Sequence, residues 1–458
     1  MNGIIFGTRC HDDLPRSYAI SQMSLTSFFQ RKRKSLKPQI GKRPMIMVAP
    51  DKFKGTLTAG EVTALISDAL VEAFPGAGIL RCPMADGGEG TAEIIARNLG
   101  LSPATTTGHD AMMHDIEIGF FKNGDTCAVD AAAIVGLAML APLPLRPWEA
   151  STYGLGEFIL EMLRQGFKRI IICIGGTATV DAGAGMLQAL GARFLDVEGN
   201  QISVRPITAA NLSSIYSIDF SGIDRNPIKE AVTALADVDV PLLPSCEGEM
   251  SALDFAPQKG IQVKELPMLR ASLENFRNAI DNALYTPSVQ PPFQGAGGGL
   301  GYALHRILRC RCIKGSDNII DSYDILHAAP TNADETAYDT SVTASPLPNC
   351  IITGEGCFDA QSLHGKITGA IIERASALSI PVIVVAGISR IDNAALPENV
   401  TILTTSAGNQ PYIDSINRPG ALITHAAALD SLCSILPTVV QAVAEASPIC
   451  KINSKSYS

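Results

Sequence analysis

Short apolar runs alternate with longer stretches of helical period along the chain. MIMVAP (45–50) is apolar and stops at proline, so it predicts a strand. TLTAGEVTALISDALVEAF (56–74) carries apolar residues at helical spacing, and Thr58 and Glu61 stand at the separation of a capping box. GILRCPM (78–84) predicts a strand and EGTAEIIARNL (89–99) a helix. Farther on, KRIIICIGG, NCIITGEG and IPVIVVAG each end an apolar run in glycine, with helix-like sequence after or between them. Strand–loop–helix repetition predicts a parallel sheet with right-handed crossovers. ATTTGHDAMMHDIEIGFFKNGDTCAVD (104–130) alternates at period two instead, which predicts antiparallel strands. The expected fold class is therefore α/β with two domains, a parallel-sheet domain and a second, mixed α/β domain interrupting it.

Composition narrows the classes. With 458 residues, 46% hydrophobic and only 5% aromatic, the chain can fill more than one core with small and branched side chains, as buried parallel strands require. A net charge of −9 gives no general attraction to nucleic acid. Eleven cysteines without a CxxC pair predict a reducing, cytoplasmic setting rather than a disulfide framework or a zinc site. Apolar runs reach only about nine residues, short of the roughly 20 that cross a bilayer, so no membrane partner is expected.

Charge is uneven. Residues 1–43 hold nine Lys/Arg against two Asp, a net of +7, which leaves −16 for the rest. That segment lacks periodicity and contains RKRK, so a disordered basic tail is expected, with a targeting or nuclear signal as the alternative to a cytoplasmic protein. PTNADETAYDTSVTASPLPN (330–349) has few large apolar residues and predicts an exposed loop.

The predicted strand ends carry the chemistry. They read APDKFKG (49–55), MADGGEG (84–90), IGGTATVDAGAG (174–185) and ITGEGCFDAQSLHGK (352–366), with a further loop, GAGGGLG (295–301), before a helix. Ligands of open α/β sheets bind at the carboxyl ends of strands. Glycine lets backbone N–H groups approach an anion, and a helix N-terminus adds partial positive charge. Asp51, Asp86, Glu89, Asp181, Glu355 and Asp359 add carboxylates, and Lys54 and Lys366 add cations. Carboxylates, lysines and anion cradles are the parts of Mg2+-assisted phosphoryl transfer. No strand-associated G-x-G-x-x-G is present, which argues against a dinucleotide oxidoreductase.

Taken in order, APDKFKGTLTAGEV, MADGGEGT, GGTATVDAGAGMLQALGARF, FAPQKG, GAGGGLG and ITGEGCFDAQSLHGK resemble the motifs of the bacterial-type glycerate kinase family, kinases without a Walker A loop. The resemblance covers about 45–445. It implies a flavodoxin-like domain built from both chain ends (44–103 and 295–458), a second α/β domain inserted at 104–294, and an active site between them. It implies ATP, Mg2+ and D-glycerate, with 2-phosphoglycerate expected over 3-phosphoglycerate; the alternatives are another small hydroxy acid, or a weakened binding homologue. Asp181 is the expected base. Asp86 is the runner-up, in which case Asp181 would be a Mg2+ ligand. Lys54 and Lys366 would neutralise phosphoryl charge. Asp51, Gly87, Gly88, Glu89, Gly175, Gly176, Thr177, Lys259, Gly297 and Gly298 would hold substrate or phosphate, and Glu355 and Asp359 the metal. The chain departs from the family pattern at Val180, Ala182, Val240 and Cys357, and the changes at Val180, Val240 and Cys357 would each remove a polar group near the site.

One motif lies outside this scheme. QMSLTSFFQRKRK (22–34) places Gln22, Leu25, Phe28 and Phe29 at the spacing Q-x-x-L-x-x-F-F before four basic residues. It resembles the peptide by which replication proteins bind the sliding clamp PCNA. One tight helical turn would put Leu25 and both rings on one side. Chance explains such a match as readily, so clamp binding is carried only as a secondary expectation.

Overall fold

The computed structural model describes residues 44–53, 56–140, 144–285, 292–323, 347–363, 366–391, 396–405 and 425–446. The basic tail, with its clamp-like motif, and residues 330–346 of the predicted loop lie outside them. The chain forms two compact units. Among the described residues, one comprises those within 44–82, 347–358 and 379–446; the other comprises those within 83–323 and 359–378.

The first unit holds five strands, β1 (Met45–Pro50), β2 (Gly78–Arg81), β11 (Cys350–Phe358), β12 (Val382–Ser389) and β13 (Val400–Thr404). All pairings are parallel, and the order across the sheet is β2-β1-β11-β12-β13. Renumbered within the unit this is 2-1-3-4-5, the flavodoxin-like order, and the sheet is drawn from both ends of the chain. The strands are apolar because both faces are covered: Ile46, Met47, Val48 and Ala49 are all fully buried. On one face Ile46, Val48, Ile352, Ile383 and Val385 pack against Val62, Leu65, Ile66 and Leu70 of the helix Ala59–Ala73. That helix starts at the expected capping box. The Glu61 N–H donates to Thr58 Oγ1 (3.2 Å), and the Thr58 N–H donates to Glu61 Oε2 (2.8 Å). Leu432, Leu436, Val439 and Val443 of the last helix, His425–Ala446, join the same core. Its stretch Ala427–Ala446, with mean hydropathy 1.5, is the one helix among the described residues long and apolar enough to cross a membrane.

The second unit holds a six-stranded sheet in the order β10-β9-β6-β5-β4-β3. The strands are β3 (Ser102–His109), β4 (Asp115–Asn123), β5 (Thr126–Asp130), β6 (Arg169–Cys173), β9 (Val232–Ala236) and β10 (Arg311–Lys314). A separate ribbon pairs β7 (Arg193–Leu195) with β8 (Ser217–Asp219). β3, β4 and β5 run antiparallel, as their period-two pattern predicts, and β5, β6, β9 and β10 run parallel. The carboxyl ends of these four strands thus lie on one edge.

The division of the chain differs from the expected boundaries at 103 and 295. Of the described residues, 83–103, 295–323 and those within 359–378 group with the second unit. Two contacts within the second unit show why. The helix Thr91–Leu99 is tied at its start to Asp130 of β5, and β10 extends the second sheet by pairing with β9.

Candidate active site

In the first unit the strand order reverses between β1 and β11, and the ends of these strands present two buried acids. Asp51 follows β1, and its N–H donates to the Gly354 carbonyl (2.8 Å), closing the gap between the two strands. Thr353 Oγ1 donates to the Ala49 carbonyl at the same level (2.9 Å). Glu355 is buried one residue farther along β11. Gly354 has no room for a side chain, since a Cβ there would lie 1.8 Å from the Val385 carbonyl oxygen of β12. The glycine in TGEG therefore serves strand packing, and Glu355 is the group it sets at the switch point. Lys54 lies outside the described residues.

In the second unit five turns meet at the carboxyl edge of the parallel strands. The 86–88 turn lies against the ends of β9 and β10: a Cβ on Gly87 would stand 2.7 Å from the Ala236 carbonyl carbon, and one on Gly315 would stand 2.5 Å from the Asp86 carbonyl oxygen. A Cβ on Gly175, after β6, would meet Gly88 Cα at 2.6 Å and Asp237 Oδ2 at 2.8 Å. Gly297, Gly298 and Gly299 take φ of +63°, +70° and +92°, a left-handed turn that only glycine adopts without strain. That turn packs on the 174–182 loop, with a Cβ at Gly298 only 2.0 Å from the Thr179 carbonyl oxygen.

The acids of this edge differ sharply in environment. Asp181 is fully buried. Its Oδ2 accepts from the Thr152 N–H (2.9 Å), Thr152 Oγ1 (2.8 Å) and the Gly185 N–H (3.1 Å), and its Oδ1 accepts from the Gly183 N–H (3.2 Å). Burial pushes its pKa up, and these four donors oppose the shift. With its lone pairs engaged and no exposed surface, Asp181 orders the 181–185 turn and the start of the helix Tyr153–Arg164. Asp86 retains 8% exposure, and its Oδ1 accepts from the Gly88 N–H (3.2 Å). Of the two aspartates expected as base, Asp86 is the one that keeps some exposed surface.

The remaining expected residues fall into place unevenly. Lys259 is buried, donating from Nζ to Thr177 Oγ1 (3.0 Å) and the Thr179 carbonyl (2.8 Å). Burial lowers its pKa to about 8, partly offset by Asp237 and Asp181. It braces the 177–179 loop from behind. Glu89 is exposed and Gly176 is exposed. Asp359 caps the short helix Ala360–Leu363, accepting from the Ser362 N–H at 3.2 Å. Lys366 is the N-cap residue of the helix Ile367–Ala377 and is partly buried. Val180 is buried in the apolar core of this unit. Ala182 takes φ +50°, a conformation better suited to the glycine common in the family. Among the described residues no three His, Cys, Asp or Glu side chains come together as a metal-binding group.

Two acids escaped the sequence reading. Asp130 ends β5 and accepts from the Gly90 N–H (2.8 Å) and the Ala92 N–H (2.9 Å), so the helix terminus after MADGGEG is held by a carboxylate of the protein itself. Asp237 follows β9 and faces Gly175. The signal was available: each is the first acid after an apolar run, in TCAVD and VTALAD.

Comparisons with known proteins agree with this architecture. Residues 46–429 match the model of the glycerate kinase family. The chain is 34% identical over 361 residues to a glycerate kinase of Bacillus subtilis (strain 168), covering 78% of this chain and 89% of the relative. It is 35% identical over 346 residues to a glycerate 2-kinase of Escherichia coli (strain K12), covering 75% and 84%. A crystal structure of a Salmonella typhimurium LT2 protein assigned as glycerate kinase 2 superposes with a TM-score of 0.64 at 28% identity, covering 88% of this chain and 98% of that one. With the family match spanning both sheets and every glycine turn described above, the chain belongs to the glycerate kinase family.

Proposed function

We propose that the chain transfers the γ-phosphoryl group of ATP to the 2-hydroxyl of D-glycerate, giving ADP, 2-phosphoglycerate and a proton. The observation that carries this reading is the meeting of the 86–88, 174–177, 236–237 and 314–316 turns at one sheet edge, in a chain of a kinase family. The relative named a glycerate 2-kinase supports the choice of the 2-hydroxyl. Asp86 takes the proton as the hydroxyl oxygen attacks phosphorus, because a hydroxyl is a poor nucleophile until its proton has an acceptor. The backbone of the 175–177 turn cradles phosphoryl or carboxylate oxygens, and Lys259 fixes that turn through Thr177. Lys54 and Lys366 are proposed to neutralise charge on the transferring group.

Mg2+ binds through one or two carboxylates and substrate phosphates rather than in a closed protein cage. Asp51 and Glu355, buried acids at the switch point, fit such a site better than Asp359, whose carboxylate caps its own helix. The ion would screen charge between the phosphates of ATP. A coupled ADP-release assay over a panel of small hydroxy acids, with NMR of the product, tests the reading. Highest kcat/KM with D-glycerate and a 2-phosphate product supports it; turnover of another acid alone, or none, overturns it. Clamp binding by residues 20–36 is a separate proposal resting on Gln22, Leu25, Phe28 and Phe29, and a peptide that leaves PCNA unbound at high micromolar concentration removes it.

A further inference from the structure

The second unit contains a cavity that shares no residue with the glycine turns. It measures about 570 Å³ and is lined by Gln188, Arg193, Gln201, Ser203 and Arg205, among others. Its two arginines are not equivalent. Arg193 forms an ion pair with Asp219 across the β7–β8 ribbon. Arg205 has no carboxylate at ion-pair distance among the described residues; its Nε and Nη2 both donate to the Tyr153 hydroxyl (Nε at 2.6 Å). Its guanidinium also lies over the Tyr153 ring, 5.0 Å from the centroid.

The backbone bearing Arg205 is fixed from below. Gln188 Nε2 donates to the Val204 carbonyl (2.9 Å), and Gln188 Oε1 accepts from the Ile207 N–H (2.8 Å). One side-chain amide thus grips the segment on both sides of Arg205. The arginine is preorganised at both ends: its backbone by Gln188, its head by Tyr153. An exposed arginine normally loses rotamer entropy when it binds an anion, and here much of that loss has already occurred. The remaining guanidinium donors are free to form the forked contacts that oxyanions favour. Ser203 and Gln201 also line the cavity and carry neutral donors.

We propose that this cavity is a second ligand site, for a small phosphate monoester, with Arg205 as its principal contact. The charge count agrees: two arginines and Asp219 leave one net positive charge beside a cavity large enough for a small metabolite. The test is calorimetric titration of the full-length protein with inorganic phosphate and, separately, with glycerol 3-phosphate. Arg205→Gln removes the cation, and Ser203→Asp adds a negative charge on an exposed position that the core does not use. Saturable binding is expected at a Kd on the order of 1 mM or tighter. Each variant should weaken it by about 10-fold or more, with KM for ATP and D-glycerate unchanged. Stronger binding of the ester than of inorganic phosphate identifies the organic part as contributing. Isotherms that coincide for wild type and both variants, or no wild-type saturation by about 20 mM, overturn the proposal.

Discussion

Asp86 and Asp181, the two aspartates proposed in turn as the base, differ in environment: one keeps some exposed surface and the other is fully buried. Asn at 86 keeps the size and one acceptor oxygen but not the basicity. Asp86→Asn should lower kcat by about 10²–10⁴-fold with Tm near wild type. Asn at 181 sets an NH2 group against backbone or hydroxyl donors in a fully buried place. Asp181→Asn should therefore destabilise by about 1–3 kcal/mol, read from denaturant unfolding, with any loss of kcat accompanied by that loss of stability. The opposite pattern, stable protein without turnover, would return the base to Asp181. Lys259 supplies a pH signature. Its folded pKa of about 8 is below the unfolded value of 10.5, so between these the unfolded chain holds the extra proton. Stability from this group therefore rises as pH climbs from about 8 to about 10.5, and below pH 8 the burial penalty is constant at about 3 kcal/mol. Lys259→Met should remove that rise relative to wild type, measured as urea midpoints across the range. The sequence marked both aspartates as acids among glycines, but which one faces solvent depends on Thr152, 29 positions from Asp181, and no local pattern carries that pairing.

At the scale of elements, the glycine turns were legible as turns but not in purpose. Their spacing suggested anion cradles. The structure assigns much of their need for glycine to backbone crossing at short range, as at Gly175, Gly298 and Gly354. Gly175→Ala should cost about 1–3 kcal/mol, since its new methyl meets the Gly88 backbone as well as the Asp237 carboxylate, and the backbone atom cannot rotate away. It should also cut kcat/KM, because the 86–88 turn must shift to make room. Thermal unfolding and steady-state kinetics of one variant check both halves. The capping box at Thr58–Glu61 and the antiparallel β3–β4 pair were readable because each depends on residues close in sequence. The Asp130 cap was not, as it joins positions 90 and 130 through the tertiary fold.

Across the whole molecule, fold class and sheet type were written in the block pattern, whereas the partition of the chain was not. Residues 83–103 and 295–323 were expected with the first sheet, whereas the pairing of β10 with β9 and the tie from Gly90 to Asp130 join them to the second. The basic first segment holds none of the kinase motifs. A chain beginning at residue 43 keeps Pro44, whose carbonyl accepts from the Gly78 N–H, and should retain kcat and Tm within error. A marked fall in either would mean that the tail supports the kinase core.

The first sheet also carries a message about time. Ile46 of β1 pairs with Cys350 of β11, roughly three hundred residues later. At about 5–20 residues per second, β1 leaves the ribosome some 15–60 s before its central neighbour exists. The strands of the second unit all lie between 102 and 314, so its sheet can pair before β11 is made. Until residue 350 is made, the fully apolar MIMV segment has only one edge satisfied, by β2. Synthesis therefore passes through a window in which an unfinished parallel sheet presents a sticky strand, and cells that make this protein quickly should need a holding chaperone most for its first eighty residues.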